Sequence, residues 1–164
     1  MFAAAPLRNT SSSELYPELL AQARALFDGE RDPTANAANL AALLFHALPD
    51  LNWAGFYWLK DGGLVLGPFQ GKPACVRIAL GKGVCGTAAQ ERRTIIVADV
   101  SKFPGHIACD SASNSEIVIP LLDGDRVIGV LDLDSPKLAR FTPEDARGLE
   151  PLAQLFLKAT DLGG

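Results

Sequence analysis

The sequence predicts a single α+β domain with a central antiparallel sheet of about six strands, helices on one side and pocket-forming loops on the other. Helical patterns lie at both ends of the chain, strand patterns occupy the middle, and several of those strands form hairpins. With 164 residues, 48% of them hydrophobic, the chain is long enough for one core and too short for two.

Two helical patterns open the chain. Ser11 and Glu14 form an S-x-x-E capping pattern ahead of the first, which carries leucines and alanines on one face; Pro17 limits its start to near that point, and Gly29 is placed to end it. Asp32 followed by Pro33 predicts the start of a second helix, because an aspartate cap and a proline in the first turn are both favoured there. Its apolar stripe continues to Pro49.

A hairpin and a short helix follow the two helices. The aromatic segment NWAGFYWLK (52–60), the turn DGG (61–63) and the extended segment LVLGPF (64–69) predict two paired strands. CVRIAL (75–80) predicts a short strand. GKGVCGTAAQERR (81–93) then predicts a loop that runs into a short helix.

The last third of the chain returns to strands and closes with a helix. TIIVADV (94–100) predicts a strand, and residues 101–115 form a long connection, which in a compact domain is usually functional. SEIVIPLL (115–122) and RVIGVLDLD (126–134) predict a second hairpin. The sequence Thr-Pro-Glu-Asp at 142–145 caps the closing helix.

Composition and charge exclude several classes of partner. Lys and Arg total 15 against 19 Asp and Glu, and no basic run is present, so we expect no nucleic acid. We expect no membrane and a cytoplasmic location, because the chain has no signal peptide and no run of 18 apolar residues. In that reducing compartment three cysteines indicate redox chemistry, metal binding or packing.

Three acidic residues are predicted to converge on one face of the sheet. Strand periodicity places Asp132 and Asp134 on the same face of the last strand, together with Ile128 and Val130. Counting from the hairpin turn places Glu116 roughly opposite Asp132. Carboxylates so close together raise at least one pKa, which suits a proton donor or a cation site. The alternative is a strand that simply emerges into solvent.

A cation should compensate three converging acids, because each unpaired pair repels by about 1 kcal/mol or more. A metal, a protein base or an amino group on a ligand would serve. We expect no metal, since the cysteine spacings match no structural zinc pattern and only His46 and His106 are available.

The cysteines differ in their surroundings, although packing is the alternative for each. Cys109 lies in the long polar loop among groups that titrate and hydrogen-bond, as expected of a nucleophile. Cys85 lies at a helix start, where the dipole would lower its pKa, and close packing explains the same small neighbours. Cys75 stands at the head of a strand. Thiolate redox chemistry needs a second thiol, and Cys75 and Cys85 are both candidates.

Aromatic residues share one face of the first strand. Trp53 and Tyr57 lie there with Gly55 and Leu59, which predicts either a pocket wall for a small apolar group or part of the core.

Taken together, these residues resemble the free methionine-(R)-sulfoxide reductases, which are single GAF-type domains. The resemblance covers about residues 14 to 157. It rests on the following segments: NWAGFY (52–57), GPFQGKPAC (67–75), GKGVCG (81–86), FPGHIACDSASNSEIVIP (103–120) and GVLDLDS (129–135).

The resemblance implies a role for each candidate residue. It implies a tail at residues 1–13 and a GAF-type catalytic domain at 14–164. It further implies that Cys109 is the nucleophile, that Cys75 is the resolving thiol and that Cys85 is an auxiliary third cysteine. The residues that it implies for the acid chemistry and the substrate contacts are Trp53, Tyr57, Glu116, Asp132 and Asp134.

The function expected from these roles is reduction of free methionine (R)-sulfoxide. Cys109 attacks the sulfoxide sulfur while an acid protonates the oxygen, and the resulting sulfenic acid condenses with Cys75 to a disulfide. The resemblance names thioredoxin as reductant and implies no bound cofactor. A non-catalytic GAF ligand-binding or sensor module and a thiol peroxidase are the alternatives. The oligomeric state stays open, with a homodimer among the alternatives.

Overall fold

The computed structural model describes residues 12–107 and 110–163, without the side chains of residues 12 and 13. Four helices span α1 Ser12–Leu26, α2 Pro33–Ala47, α3 Gly83–Glu91 and α4 Pro143–Ala159. Six strands span β1 Trp53–Lys60, β2 Gly63–Gly71, β3 Arg77–Ala79, β4 Ile95–Val97, β5 Ser115–Asp123 and β6 Arg126–Ser135. A short 3-10 turn, Val100–Lys102, follows β4.

The strands form one antiparallel sheet in the order β3-β2-β1-β6-β5-β4. Hairpins join β1 to β2 and β5 to β6, and β6 also pairs with β1 at the centre of the sheet. The predicted α+β class with a six-stranded antiparallel sheet is confirmed. None of the described helices combines the length and the hydropathy that crossing a membrane requires.

The two faces of the sheet bury different clusters. Helices α1, α2 and α4 cover one face, where Leu19, Leu40 and Leu149 are fully buried against strand residues such as Ile117 and Leu131. Burying a leucine of this kind contributes about 1.5–3 kcal/mol, so this layer supplies much of the stability. Helix α3 and the connecting loops cover the other face. The predicted division into a helix side and a loop side is therefore confirmed.

The helix starts follow the predicted caps, with one correction at α1. The Asp32 carboxylate accepts a hydrogen bond from the Ala35 N–H at 2.8 Å, which caps α2. Helix α1 begins at Ser12, where the capping pattern predicts, and contains Pro17 in its interior, so only the limit that Pro17 was expected to set on its start was wrong. Tyr16, just before the proline, is buried and bonds to α4, and this packing holds the first turn in place.

A bulge between β5 and β6 changes which face a side chain takes. Leu122 pairs with Val127 and Leu121 pairs with Gly129, so Ile128 is left as an extra residue on β6. Ile128 consequently packs with the helix-side cluster. Periodicity placed it on the same side as the acids, and this prediction was wrong because simple alternation does not allow for the extra residue.

Candidate active site

A cavity lies on the loop side of the sheet. Its floor comes from β1, β5 and β6, and α3 and the segments at residues 73–74, 106–107 and 110–113 form its walls. The cavity volume is about 40 Å³, room for about three water molecules. Every acid and aromatic residue that the sequence singled out lines this cavity.

Strand register brings the three acids together. Glu116 of β5 lies directly opposite Asp134 of β6, and Val118 lies opposite Asp132. The sequence had placed Glu116 roughly opposite Asp132, and this was wrong by two residues: the bulge accounts for one, and the approximate count from the turn accounts for the other. Direct and diagonal partners share a face of an antiparallel pair, so all three carboxyl groups still face the cavity.

Burial makes these carboxyl groups weak acids. Burial raises the pKa of Asp132 to about 7. Burial, together with repulsion from Asp132 and Asp134, raises the pKa of Glu116 well above its usual range. Burial, followed by repulsion from Asp132 and from Asp110, raises the pKa of Asp134 well above its usual range. No lysine or arginine is among the described residues that line the cavity. The cluster therefore holds protons near neutral pH.

Cys85 belongs to the acidic cluster and is a free, buried thiol. It is the third residue of α3, and its Sγ donates to Oε1 of Glu116 at 3.8 Å. Burial, followed by the charges of Asp132 and Glu116, raises its pKa well above the ordinary value. The expectation that the helix dipole lowers this pKa was wrong, because burial beside two acids outweighs a dipole effect of about 0.3–1 kcal/mol.

The other two cysteines are not part of the acidic cluster that the structure describes. Cys109, with Ala108, lies outside the described residues, so its role as nucleophile stays a prediction. Cys75 is half-buried two residues before β3, where it packs beside the loop-side cluster. It is disulfide-bonded in this structure.

The two aromatic residues are both cavity wall and core. Trp53 is 3% exposed and Tyr57 is 2% exposed, and their rings stack with centroids 5.8 Å apart. The Trp53 indole N–H donates to the Lys72 carbonyl at 3.2 Å, and the Tyr57 hydroxyl donates to the Cys75 carbonyl at 3.1 Å. These residues therefore also hold the segment that leads to β3.

The structure adds a polar bracket that the sequence analysis missed. The Asn52 amide donates to Asp110 Oδ2 at 3.3 Å and to Ser113 Oγ at 3.0 Å. Lys72 Nζ lies 3.9 Å from Asp110 Oδ1 at the cavity rim. Asp110 and Ser113 belong to the polar loop that the sequence marked, but nothing local links that loop to Asn52.

His106 also lines the cavity. Burial lowers its pKa, and its Nδ1 atom is buried without a hydrogen-bond partner in the described part of the chain. The sequence marked this histidine only as a metal-ligand candidate. It forms part of the wall in its neutral state.

One group of side chains has the composition of a metal site. Ligand atoms of Cys85, Glu116 and Asp132 all lie within 4.8 Å of one another. Neither the cysteine spacing nor the two histidines reveal this group in the sequence, because its three members come from one helix and two strands.

Known proteins with similar sequences and structures identify the family of this chain. Residues 34–159 match the GAF domain family. The chain is 55% identical over 154 residues to a free methionine-R-sulfoxide reductase of Escherichia coli, covering 92% of this chain and 93% of that protein. It is 44% identical to a protein of the same name from Saccharomyces cerevisiae, covering 92% of this chain and 88% of that protein.

A solved structure supports the same relationship. The X-ray structure of a free methionine-R-sulfoxide reductase from Neisseria meningitidis in complex with its substrate superposes with a TM-score of 0.93 at 45% identity. The match covers 97% of this chain and 95% of that chain.

Proposed function

Because the chain belongs to the free methionine-R-sulfoxide reductase family of GAF domains, we propose that it reduces free methionine (R)-sulfoxide to methionine. One observation carries the proposal: three buried carboxyl groups meet beside two stacked aromatic rings, with no lysine or arginine among the described residues lining the cavity. Such a cavity suits a small cation that also carries an apolar group.

The acids account for a preference for the free amino acid. The substrate ammonium supplies the cation that the cluster of Glu116, Asp132 and Asp134 otherwise lacks. An internal methionine sulfoxide in a peptide has no ammonium, so it would leave the cluster in its protonated form and gain no ion pair from it. The substrate methyl group packs against Trp53, whose ring forms part of the apolar wall.

Substrate entry is expected at the rim of the cavity, where the walls are loop segments and not strands. We expect the segments at residues 72–74 and 110–113 to move outward when the substrate binds. Both segments lie at the rim, and the 3.9 Å ion pair between Lys72 and Asp110 joins them there.

The chemistry uses a thiolate and a proton donor. The Cys109 thiolate attacks the sulfoxide sulfur, and the oxygen accepts a proton because it is a poor leaving group otherwise. The protonated oxygen then passes from the substrate sulfur to the Cys109 sulfur as the S–S bond formed in the attack breaks, so that Cys109 becomes a sulfenic acid and methionine leaves with the electron pair of that bond. Glu116 and Asp134 support this role, since burial and the neighbouring carboxylates raise the pKa of both and favour the protonated form.

The second half of the cycle restores the thiols. Cys75 condenses with the Cys109 sulfenic acid, releasing water and forming a disulfide, and thioredoxin reduces that disulfide. The disulfide-bonded state of Cys75 supports its redox role. The cycle needs no bound cofactor, because its electrons come from thioredoxin. A cytoplasmic location and the homodimer stay predictions.

The test uses the separated R and S epimers of free methionine sulfoxide with thioredoxin, thioredoxin reductase and NADPH. We expect methionine from the R epimer only, and we expect none from the Cys109→Ser variant. Wild-type rates in that variant would remove Cys109 as nucleophile. No turnover of either epimer by reduced, folded wild-type protein would favour a ligand-binding module instead.

The same assay separates the peroxidase alternative. Hydrogen peroxide replaces the sulfoxide, and NADPH oxidation is followed under otherwise identical conditions. We expect a much lower rate with peroxide, because a peroxidase has no use for three acids around an amino-acid cavity. A faster rate with peroxide than with the R epimer would overturn the proposed substrate.

A further inference from the structure

The acidic cluster and its buried thiol form a second kind of site in the same cavity. We propose that Cys85, Glu116 and Asp132 bind a thiophilic divalent cation of the zinc type, which inhibits the enzyme by occupying the position of the substrate ammonium. The binding part stands on geometry alone, whereas the inhibitory part rests on the proposed function.

The distances between the ligand atoms are close to those of a tetrahedrally coordinated ion. The three ligand atoms lie within 4.8 Å of one another, and Cys85 Sγ lies 3.8 Å from Glu116 Oε1. In tetrahedral zinc sites, with Zn–S near 2.3 Å and Zn–O near 2.1 Å, sulfur and oxygen ligands are about 3.6 Å apart. The Cys85–Glu116 pair therefore needs to move by only about 0.2 Å, and the Asp132 oxygen lies close enough to complete the site.

A second observation points to a ligand at this place. Asp132 is 5% exposed and lines the cavity, and within the described residues only the titrating groups of Cys85 and Glu116 stand near enough to share a proton with it, while its Oδ1 accepts no other hydrogen bond. Buried carboxylate oxygens are nearly always paired, because leaving one unpaired is costly. A cation held between Asp132, Glu116 and Cys85 would satisfy this oxygen.

The ligands sit on rigid elements. Glu116 and Asp132 lie on adjacent central strands of the sheet. Helix α3 packs tightly against β3, since a Cβ at Gly86 would lie 2.3 Å from the Ala79 carbonyl oxygen. Cys85 is therefore held in place by the backbone beside it, and binding pays little for ordering the ligands.

The donor set selects the metal. One thiolate with two carboxylates suits zinc or a similar borderline-soft ion, whereas magnesium and calcium take oxygen ligands alone. Three protein ligands leave a fourth position for water. Binding requires the thiol and any protonated carboxyl to release protons to solvent, so the affinity rises with pH.

The experiment isolates the Cys85 thiol. In a Cys75→Ser/Cys109→Ser double variant Cys85 is the last cysteine of the chain, and Co²⁺ is used as an absorbing substitute for Zn²⁺. We expect one ion per chain, a cobalt–thiolate charge-transfer band in the near ultraviolet, and loss of the band on adding Zn²⁺. Adding Cys85→Ser should remove the band and weaken Zn²⁺ binding about tenfold or more. Absence of the band in the folded double variant would overturn the site.

Two further arms separate the inference from the proposed function. Free methionine sulfoxide should weaken Co²⁺ binding to the double variant, and a band that the substrate leaves unchanged would overturn the inhibitory part. If the band forms while wild-type protein shows no reductase activity, the proposed function fails and the site stands. If the wild type is active and no band forms, only the site fails.

A calorimetric titration covers the case in which the double variant does not fold. Reduced wild-type protein and the single Cys85→Ser variant are titrated with Zn²⁺ under the same conditions. We expect one bound ion fewer in Cys85→Ser, and an unchanged stoichiometry and affinity would overturn the site. Asp110→Asn at the rim is the matched control, and it should bind as the wild type does.

Discussion

The Tyr57 hydroxyl donates a hydrogen bond to the backbone carbonyl of Cys75 at 3.1 Å, so a residue of the cavity wall also holds the cysteine segment. Trp53 adds a second attachment through its bond to the Lys72 carbonyl. The segment before β3 is thereby fixed to β1 at two points, five and two residues before β3 begins and beside the acidic cavity. A mutation in the cavity wall at Trp53 or Tyr57 is therefore expected to change the position of the segment that carries Cys75 as well.

Replacing Tyr57 with Phe tests this connection. The variant keeps the ring and loses the hydroxyl, so we expect about 1 kcal/mol less stability and slower disulfide formation at Cys75. Tyr16→Phe is the matched control, because Tyr16 is also buried and its hydroxyl bonds to Asp145 on the helix side. Stability is measured by urea unfolding and disulfide formation by single-turnover quenching. Wild-type disulfide rates in Tyr57→Phe would contradict the prediction, as would equal slowing in Tyr16→Phe.

The two candidate resolving cysteines are separated by a pair of serine variants. Cys75→Ser should release about one methionine per chain and then stop, since the sulfenic acid on Cys109 finds no partner thiol. Cys85→Ser should continue to turn over, because burial beside Asp132 and Glu116 raises the Cys85 pKa and keeps the thiol protonated. Methionine is counted per chain with and without thioredoxin. Unimpaired recycling in Cys75→Ser would transfer the resolving role to Cys85.

Asp132 makes stability depend on pH with a definite sign. Its pKa is about 7 in the folded protein, against an ordinary value of 3.8. The folded state therefore holds the proton more tightly than the unfolded chain. This stabilisation is fully present below about pH 4 and is lost as the pH rises through about 7. Glu116 and Asp134 shift in the same direction and continue the loss at higher pH.

Asp132→Asn should flatten this dependence. The amide stays neutral at every pH, so the free energy of unfolding should fall less steeply between about pH 5 and pH 8 than in the wild type. Urea unfolding at about four pH values across this range measures the slope. Asp61→Asn, in the exposed turn between β1 and β2, is the control and should leave it unchanged. Parallel curves for wild type and Asp132→Asn would refute the prediction.

Periodicity was sufficient for the elements and for most side-chain directions. Trp53 and Tyr57 take the loop side as alternation predicts, since β1 keeps its pairing with β6 unbroken from one to the other. The extra residue Ile128 reversed the assignment of its own side chain and moved the partner of Glu116. A bulge depends on the packing of both strands, and the β6 sequence alone contains no cue for it.

Long-range neighbours were the other missing information. The helix start beside Cys85 is visible in the sequence, but the carboxyl group that it bonds to lies 31 residues away on β5. The sequence thus predicted the direction of the dipole effect and missed the larger effect of burial among acids. Likewise, Asn52 bonds to Asp110 across 58 residues, a contact that only the folded sheet creates.

The Asn52 bracket leads to a last prediction about the loop that contains Asp110. Asn52 lies in the connection between α2 and β1, immediately before β1. Its backbone N–H donates a hydrogen bond to the Asp134 carbonyl at 3.1 Å. Its amide then donates to Asp110 Oδ2 and Ser113 Oγ. Asn52 thus joins the acidic strand β6 to the loop next to Cys109. We expect this bracket to keep the nucleophile's loop in register with the proton donors.

Asn52→Ala removes both donors, and we expect kcat/KM for the R epimer to fall about tenfold, which corresponds to the loss of about 1.4 kcal/mol of positioning. Asn52→Asp should fall further, because it sets a second carboxylate against Asp110. Asn36→Ala is the matched control: Asn36 is buried on the helix side, where its amide donates to Thr160 and to the Glu30 carbonyl. It should lower the free energy of unfolding while kcat/KM stays at the wild-type value. Equal losses of activity in Asn36→Ala and Asn52→Ala would reduce the bracket to a general contribution to stability.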